Sequence, residues 1–213
     1  MSLPPHLPES RLTEELAARL PDATPAPPWS CRVRAVLWVQ RAPSPLPSSS
    51  PFAGRVRGLA VGGLVDYLDS PVGPYREVLV GQLLRGSLLP VVHVPFIAVD
   101  SLASVHGGRT HWQLPKTVAD FDGDTATGDG WTVRATARAY GLRFGVGGPI
   151  GNDQGSGRAT TRLRGTARLA RVDVTATGLT LTPWLGTGTR HGLVVEGRVT
   201  VGAPAPTRAP TAR

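Results

Sequence analysis

The 213-residue sequence predicts a mainly β chain of the α+β kind, with strands arranged as a sandwich or a closed barrel-like core. Composition is the first reason: 26 glycines and 21 prolines punctuate a chain with 6% aromatic and 18% charged residues, which suits a turn-rich β protein better than a helical bundle. Alternation is the second. Trp131 to Phe144, Thr160 to Ala170, Val172 to Leu181 and Leu193 to Val201 interleave polar or arginine positions with Val, Ala and Leu, and turns such as Asp122-Gly123-Asp124 and Asp129-Gly130 mark off the runs. Third, Leu88 to Asp100 is a nearly continuous apolar run of strand type. Regularly spaced short strands build sandwiches and barrels, and this length supports one sizeable core.

In chain order, residues 1–30 are expected as an arm and proline-rich linker. A short amphipathic helix is predicted from about Ser10 to Leu20, with Ser10 as N-cap, Glu14 and Glu15 near the positive end of the helix dipole, and Leu12, Leu16 and Leu20 on one face. Pro21 and the prolines from Pro25 to Pro28 end it. Residues 31–202 are expected as the β domain. Val33 to Gln40 opens it, a Pro/Ser loop follows over 42–51, and strands over Gly54 to Leu68 and Tyr75 to Leu84 flank the Ser70-Pro71-Val72-Gly73-Pro74 turn. Pro90 and Pro95 must sit where the ladder needs no donor. Ser101 to Gly107 reads as two turns of helix, capped by Ser101 and stopped by Gly107-Gly108. Residues 203–213, APAPTRAPTAR, have the composition of a disordered tail.

A net charge of +8 raises nucleic acid or an anionic membrane as partners. The arginines are scattered, however, singly or as alternating pairs (Arg32/Arg34, Arg55/Arg57, Arg162/Arg164), so a solvated sheet face accounts for them better than a nucleic-acid partner does. No window approaches the apolar length of a membrane helix, and no basic segment followed by an apolar run opens the chain. Cys31 is the only cysteine, which excludes an intramolecular disulfide and fits a reducing, cytoplasmic setting. The histidines lack metal-ligand spacing, no serine lies in a nucleophile elbow, and Gly145 to Gly151 lacks the ending of a phosphate loop; no metal or cofactor is expected.

Among 23 Lys and Arg residues there is a single lysine, Lys116, in His111-Trp112-Gln113-Leu114-Pro115-Lys116-Thr117-Val118. Arginine replaces lysine for solubility, ion pairing and phosphate contacts, but its guanidinium stays protonated and is no amine nucleophile. The surviving lysine is therefore a candidate for Schiff-base chemistry, with codon bias as the plain alternative. Apolar neighbours such as Trp112, Leu114 and Val118 favour the neutral amine that this chemistry needs, because an ammonium loses its hydration there.

The stretch from Val99, VDSLASVHGGRTHWQLPKTVADF, resembles the segment of acetoacetate decarboxylases and their relatives that runs from an aspartate-bearing strand, through a short helix and a Gly-Arg pair, to a Pro-Lys dipeptide. Upstream, Val72 to Val78 (VGPYREV) resembles the family's loop with a catalytic-site glutamate, and Thr166 to Thr177 with Trp184 is similar to its late strands. The match spans about Arg32 to Val201. It implies the acetoacetate decarboxylase-like fold, a closed antiparallel β core in a homo-oligomer. It also implies Lys116 as the Schiff-base lysine, Glu77 as the proton-handling carboxylate, Arg34 (with Arg32 on the same face) as the holder of a substrate carboxylate, and Trp112 and Gln113 as pocket walls. Two departures stand out. The family's second lysine is Thr117 here, which leaves Arg109 as the candidate cationic neighbour, and its second glutamate, counted back to about Gly62, is missing, with Asp66 the nearest carboxylate.

Together these residues point to an enzyme acting on a small keto acid by decarboxylation or by a related lyase, aldolase or dehydratase step, since an iminium accepts the electron pair that a departing carbon leaves behind. The departures keep open a non-catalytic protein of the same fold that binds a small acidic ligand. Charge alone carries a third reading, a basic nucleic-acid-binding β-barrel.

Overall fold

The computed structural model describes residues 6–43, 52, 54–86, 89–155 and 157–205. These residues form one sheet of ten strands: β1 (Trp29–Arg41), β2 (Val56–Asp69), β3 (Tyr75–Leu84), β4 (Val91–Val99), β5 (Lys116–Val118), β6 (Asp120–Asp122), β7 (Thr125–Gly128), β8 (Trp131–Asp153), β9 (Arg158–Thr177) and β10 (Gly188–Val201). The hydrogen-bonded order is β5-β4-β3-β2-β1-β10-β9-β8-β7-β6. Val91 and Val92 of β4 also pair with Gly151 and Asn152 of β8, so seven strands from β4 round to β8 close into a ring. The pairing is antiparallel as expected, except where β4 meets β5 and β8 in parallel. A parallel pair needs a crossover connection, and α2 (Leu102–Trp112) supplies it between β4 and β5.

Strand alternation sorts the apolar residues onto two faces. Trp29, Cys31, Val33 and Ala35 of β1 share a cluster inside the ring with Ile97, Trp112 and Val195. Trp38, Val78, Val80 and Phe96 face the other way, against Trp131, Val133, Val172 and Trp184. β8 serves both clusters. Its register against β9 slips between Tyr140 and Phe144, beside Gly141 at a φ of 70°, so its first half packs on the outer cluster and its second half reaches β4 to close the ring.

The structure redraws several predicted boundaries. The runs expected over Thr160 to Ala170 and Val172 to Leu181 are one strand, β9, and the residues after it, Trp184 included, form α3 (Leu181–Leu185) in place of further strand. Gly145 to Gly151 lies within β8. Ser101 does cap α2, its Oγ accepting the Ser104 N–H at 3.2 Å, but the helix runs through Gly107-Gly108 and ends at Gln113, whose φ is 56°. Those glycines are there for close approach: a Cβ at 107 would overlap Trp29, and one at 108 would overlap the Lys116 side chain. A mid-helix glycine costs about 1 kcal/mol relative to alanine, a penalty accepted where packing leaves no room.

The arm also differs from its expected form. Its helix, α1, spans only Glu14–Ala18 and is capped by Thr13, while Ser10 closes a 3₁₀ turn (Pro8–Ser10) and donates to the Pro95 carbonyl at 3.3 Å. Leu12 and Leu20 pack beside Tyr75, Val99 and Val105, so this segment lies against the β domain. Of the expected Pro/Ser loop over 42–51, residues 44–51 lie outside the described residues, as does the tail from 206; Ala205 pairs with Arg158 as an isolated bridge.

Glu9 fastens the arm to α3. Its carboxylate accepts the Thr180 N–H and hydroxyl at 2.6 Å each and the Leu181 N–H at 3.0 Å, at a helix start whose own Thr180 side chain makes no cap. Burial pulls the Glu9 carboxyl up, but the hydrogen bonds led by Thr180 outweigh it and the net shift is downward. A depressed carboxylate contributes stability that is present above its unfolded pKa, about 4.3, and lost as pH falls through the folded value. Glu9→Ala should therefore lower the unfolding free energy by about 1 kcal/mol at pH 7. In urea melts the gap from the parent should narrow as the pH is taken below about 4.

Candidate active site

Lys116 opens β5, paired with Ile97 of β4, and its side chain passes under α2, where Gly108 leaves it room. Its Nζ donates to Glu77 Oε2 at 2.8 Å and to Ser104 Oγ at 2.9 Å. All three residues are buried: Lys116 is 4% exposed, Glu77 2% and Ser104 fully enclosed. Glu77 sits on β3 between Arg76 and Val78, and alternation turns it into the ring. Arg76 turns outward to Asp100 at 3.0 Å, so Glu77 is no surface partner of its neighbour. The other Glu77 oxygen accepts the Tyr67 hydroxyl at 3.2 Å. Tyr67 stacks on Tyr75 at 4.2 Å, and the Lys116 ammonium lies 5.2 Å from the Tyr75 ring centre. Burial, with Glu77 adding to it, pushes both phenols well above their ordinary range, so they stay protonated as neutral donors.

These groups stand in a cavity of about 200 Å³ within the ring, lined by residues from all seven of its strands together with Trp112, Leu114 and Lys116. Its walls are largely apolar, among them Leu79, Val92, Val94, Ile97, Ile150 and Val199. Cys31 also lines it, but burial, with Glu77 adding, pushes its thiol up to about 11, which keeps it protonated and a poor nucleophile. A buried amine in contact with a carboxylate, at the edge of a small apolar cavity, is equipped for carbonyl condensation.

No family model matches the chain, and no curated protein does. Solved structures do. The acetoacetate decarboxylase from Legionella pneumophila subsp. pneumophila str. Philadelphia 1 superposes with a TM-score of 0.55 at 14% identity, over 91% of this chain and 92% of that one. The fold is that of acetoacetate decarboxylase. Enduracididine biosynthesis enzyme MppR, complexed with pyruvate, matches with a TM-score of 0.55 at 12% identity, over 85% of this chain and 91% of that one. An acetoacetate decarboxylase-like enzyme from Sphingomonas wittichii RW1 matches with a TM-score of 0.51 at 12% identity, over 84% and 92%.

Within that fold the structure brings together Lys116, Glu77 and Trp112, the last turned into the cavity with its indole N–H on the Gly202 carbonyl at 2.8 Å. Three other expected site residues lie elsewhere. Arg34 alternates to the outer face of β1 and pairs with Glu196 at 3.6 Å. Arg109 donates to the carbonyls of Lys116 and Ser10, behind the lysine, and so ties the arm to β5. Gln113 is exposed at the end of α2. Thr117 turns to the Arg11 carbonyl at 3.3 Å. Gly62 faces away from the cavity, beneath Trp38, and the residue across the ladder from Glu77 is Val65. Sequence reasoning missed Tyr67, Tyr75 and Ser104. Ser104 had a signal, since it precedes Gly108 by four residues and so shares its helix face.

A buried ion pair is a poor source of stability, because desolvation offsets most of the attraction, yet removing one partner strands the other. Glu77→Ala should therefore lose about 3–5 kcal/mol in urea unfolding, while the paired change Lys116→Met with Glu77→Leu should match the parent or exceed it by about 1–4 kcal/mol.

Proposed function

We propose that the protein is a Schiff-base enzyme in which Lys116 condenses with a small carbonyl compound to make or break a carbon–carbon bond, in the cytoplasm. The observation that carries this reading is the Lys116 amine at 2.8 Å from Glu77 at a mostly apolar cavity. The likeness to acetoacetate decarboxylase, and to MppR with pyruvate, supports the class. Decarboxylation, retro-aldol cleavage and dehydration share the imine and enamine, which are the steps that these residues serve.

Glu77 takes the proton from the Lys116 ammonium, and the freed amine attacks the carbonyl carbon. The carbinolamine loses its oxygen as water with protons relayed by Glu77, leaving an iminium. Bond cleavage or loss of an α proton then places an electron pair on the iminium to give the enamine. Where cleavage of a β-hydroxy compound or loss of an α proton delivers a proton to Glu77, Glu77 returns it to carbon; where carbon dioxide leaves, the proton comes from water through Glu77, and hydrolysis restores the amine. Tyr67 holds the carboxylate by its second oxygen, and Ser104 fixes the amine on its helix side.

Reduction with borohydride in the presence of a panel of small ketones and keto acids should add one mass increment to the peptide that contains Pro115-Lys116, apart from any adduct at the amino terminus. Lys116→Arg should fold, by circular dichroism, and trap nothing there. Glu77→Gln should slow trapping by about 10²–10⁴-fold, the usual worth of a positioned acid–base group. If Lys116→Arg binds such ligands as tightly as the parent and the parent is never trapped, the non-catalytic reading takes over. We also propose a homo-oligomer, supported by the exposed Tyr140, Leu142, Phe144 and Leu169 around the β8 bulge. Light scattering at micromolar concentration should give a mass of at least two chains.

A further inference from the structure

We infer that this cavity takes an uncharged carbonyl compound, a ketone with an aliphatic or hydroxyl-bearing substituent, and discriminates against keto acids; the inference rests on Lys116 being the Schiff-base lysine. Among the described residues, the charged side chains lining the cavity are Lys116 and Glu77, already paired with each other. Once the amine becomes an iminium, its positive charge balances Glu77 and nothing more. A substrate carboxylate would bring a second negative charge into an apolar enclosure with no cation to meet it, and an unpaired buried charge is strongly disfavoured.

The arginines that could have met it are turned away by the strand period. On β1, Trp29 and Cys31 face inward while Arg32 and Arg34 face solvent. Arg198 of β10 reaches the Ser30 hydroxyl at 3.4 Å on the outer face, and Arg109 is engaged by two backbone carbonyls. What the cavity offers away from the amine is aliphatic wall and neutral polar groups. Asn152 lies across from Val92, at the opposite end of β4 from Ile97 and its partner Lys116. Its Oδ1 accepts the Gln154 amide at 2.7 Å, which leaves its own N–H groups to donate to a hydroxyl or carbonyl, with Thr161 nearby on the neighbouring strand.

For such a substrate the chemistry is that of the enamine and not loss of carbon dioxide. The Lys116 nitrogen bonds to the carbonyl carbon, and the carbonyl oxygen leaves as water. Where the β carbon bears a hydroxyl, its proton passes to Glu77, the α–β carbon bond breaks with its electron pair moving into the iminium, and an aldehyde departs. Glu77 returns the proton to the α carbon, and one water hydrolyses the imine to release the second carbonyl product and the free amine. Atoms and electrons balance without a co-reactant.

A matched pair of probes tests this. 4-Oxopentanoate and 5-methyl-2-hexanone have the same skeleton, with a carboxylate in one where the other carries an isopropyl group. Each is incubated with the full chain and borohydride, and the adduct on the Lys116 peptide is measured relative to reduction on a simple alkylamine. The ketone should label Lys116 at least about tenfold more than the keto acid, the sense expected for an unpaired buried carboxylate. Equal or greater labelling by 4-oxopentanoate would overturn the substrate class while leaving the Schiff-base role intact. If neither probe labels Lys116 while the alkylamine reacts with both, the Schiff-base reading falls and this inference with it.

Discussion

Opposite charges 2.8 Å apart, inside a ring lined mostly by aliphatic and aromatic side chains, lose much of their hydration, and their attraction compensates only while the geometry is held. Much of the local architecture serves that requirement. Gly108 opens the space that the Lys116 side chain passes through, and Ser104, one turn earlier on the same helix, accepts a hydrogen bond from the amine. Tyr67 fixes the carboxylate from the other side, and Arg109 holds the backbone at Lys116. An apolar pair of similar size would fill the same space with no loss of stability, so stability does not explain the ion pair. The proposed chemistry at the amine would.

Closure of the ring makes the enclosure. Antiparallel neighbours account for most of it, but the last contact is the short parallel one between β4 and β8, which β8 reaches only because its register shifts beside Gly141. One strand therefore supports the outer cluster with Trp131 and Val133, then lines the cavity with Ile150 and Asn152. On the opposite side, the arm covers the outside of the lysine strand, with Ser10 and Arg11 meeting Arg109 and Thr117 through their carbonyls. The amine end of Lys116 is thus left to the cavity.

The mainly β class, the strand at Tyr75 to Leu84 and the importance of Lys116 were legible because each rests on a local signal: alternation, a turn, a single lysine beside a proline; Glu77, which pairs with it, was reached through the family resemblance. What was not legible depends on contacts between distant residues. Gly107-Gly108 has the composition of a helix stop, and only the bulk of Trp29 and Lys116 packed against it shows why the helix continues. The run expected as strand ends at Leu181, where Glu9, more than a hundred residues earlier in the chain, instead caps the start of α3. Arg34 fits a substrate-holding role by residue type, but the period of two that places Cys31 and Val33 inside places Arg34 outside. Tyr67 and Tyr75 carried no motif and became site residues through the β2–β3 register.

The most direct test is a crystal structure of the protein after borohydride reduction with a small ketone. The expected result is electron density continuous from Lys116 Nζ into the cavity toward Asn152, with Glu77 and Tyr67 still in contact beside it. A Lys116 side chain left unmodified against Glu77, in crystals whose amino terminus carries the adduct, would contradict the account.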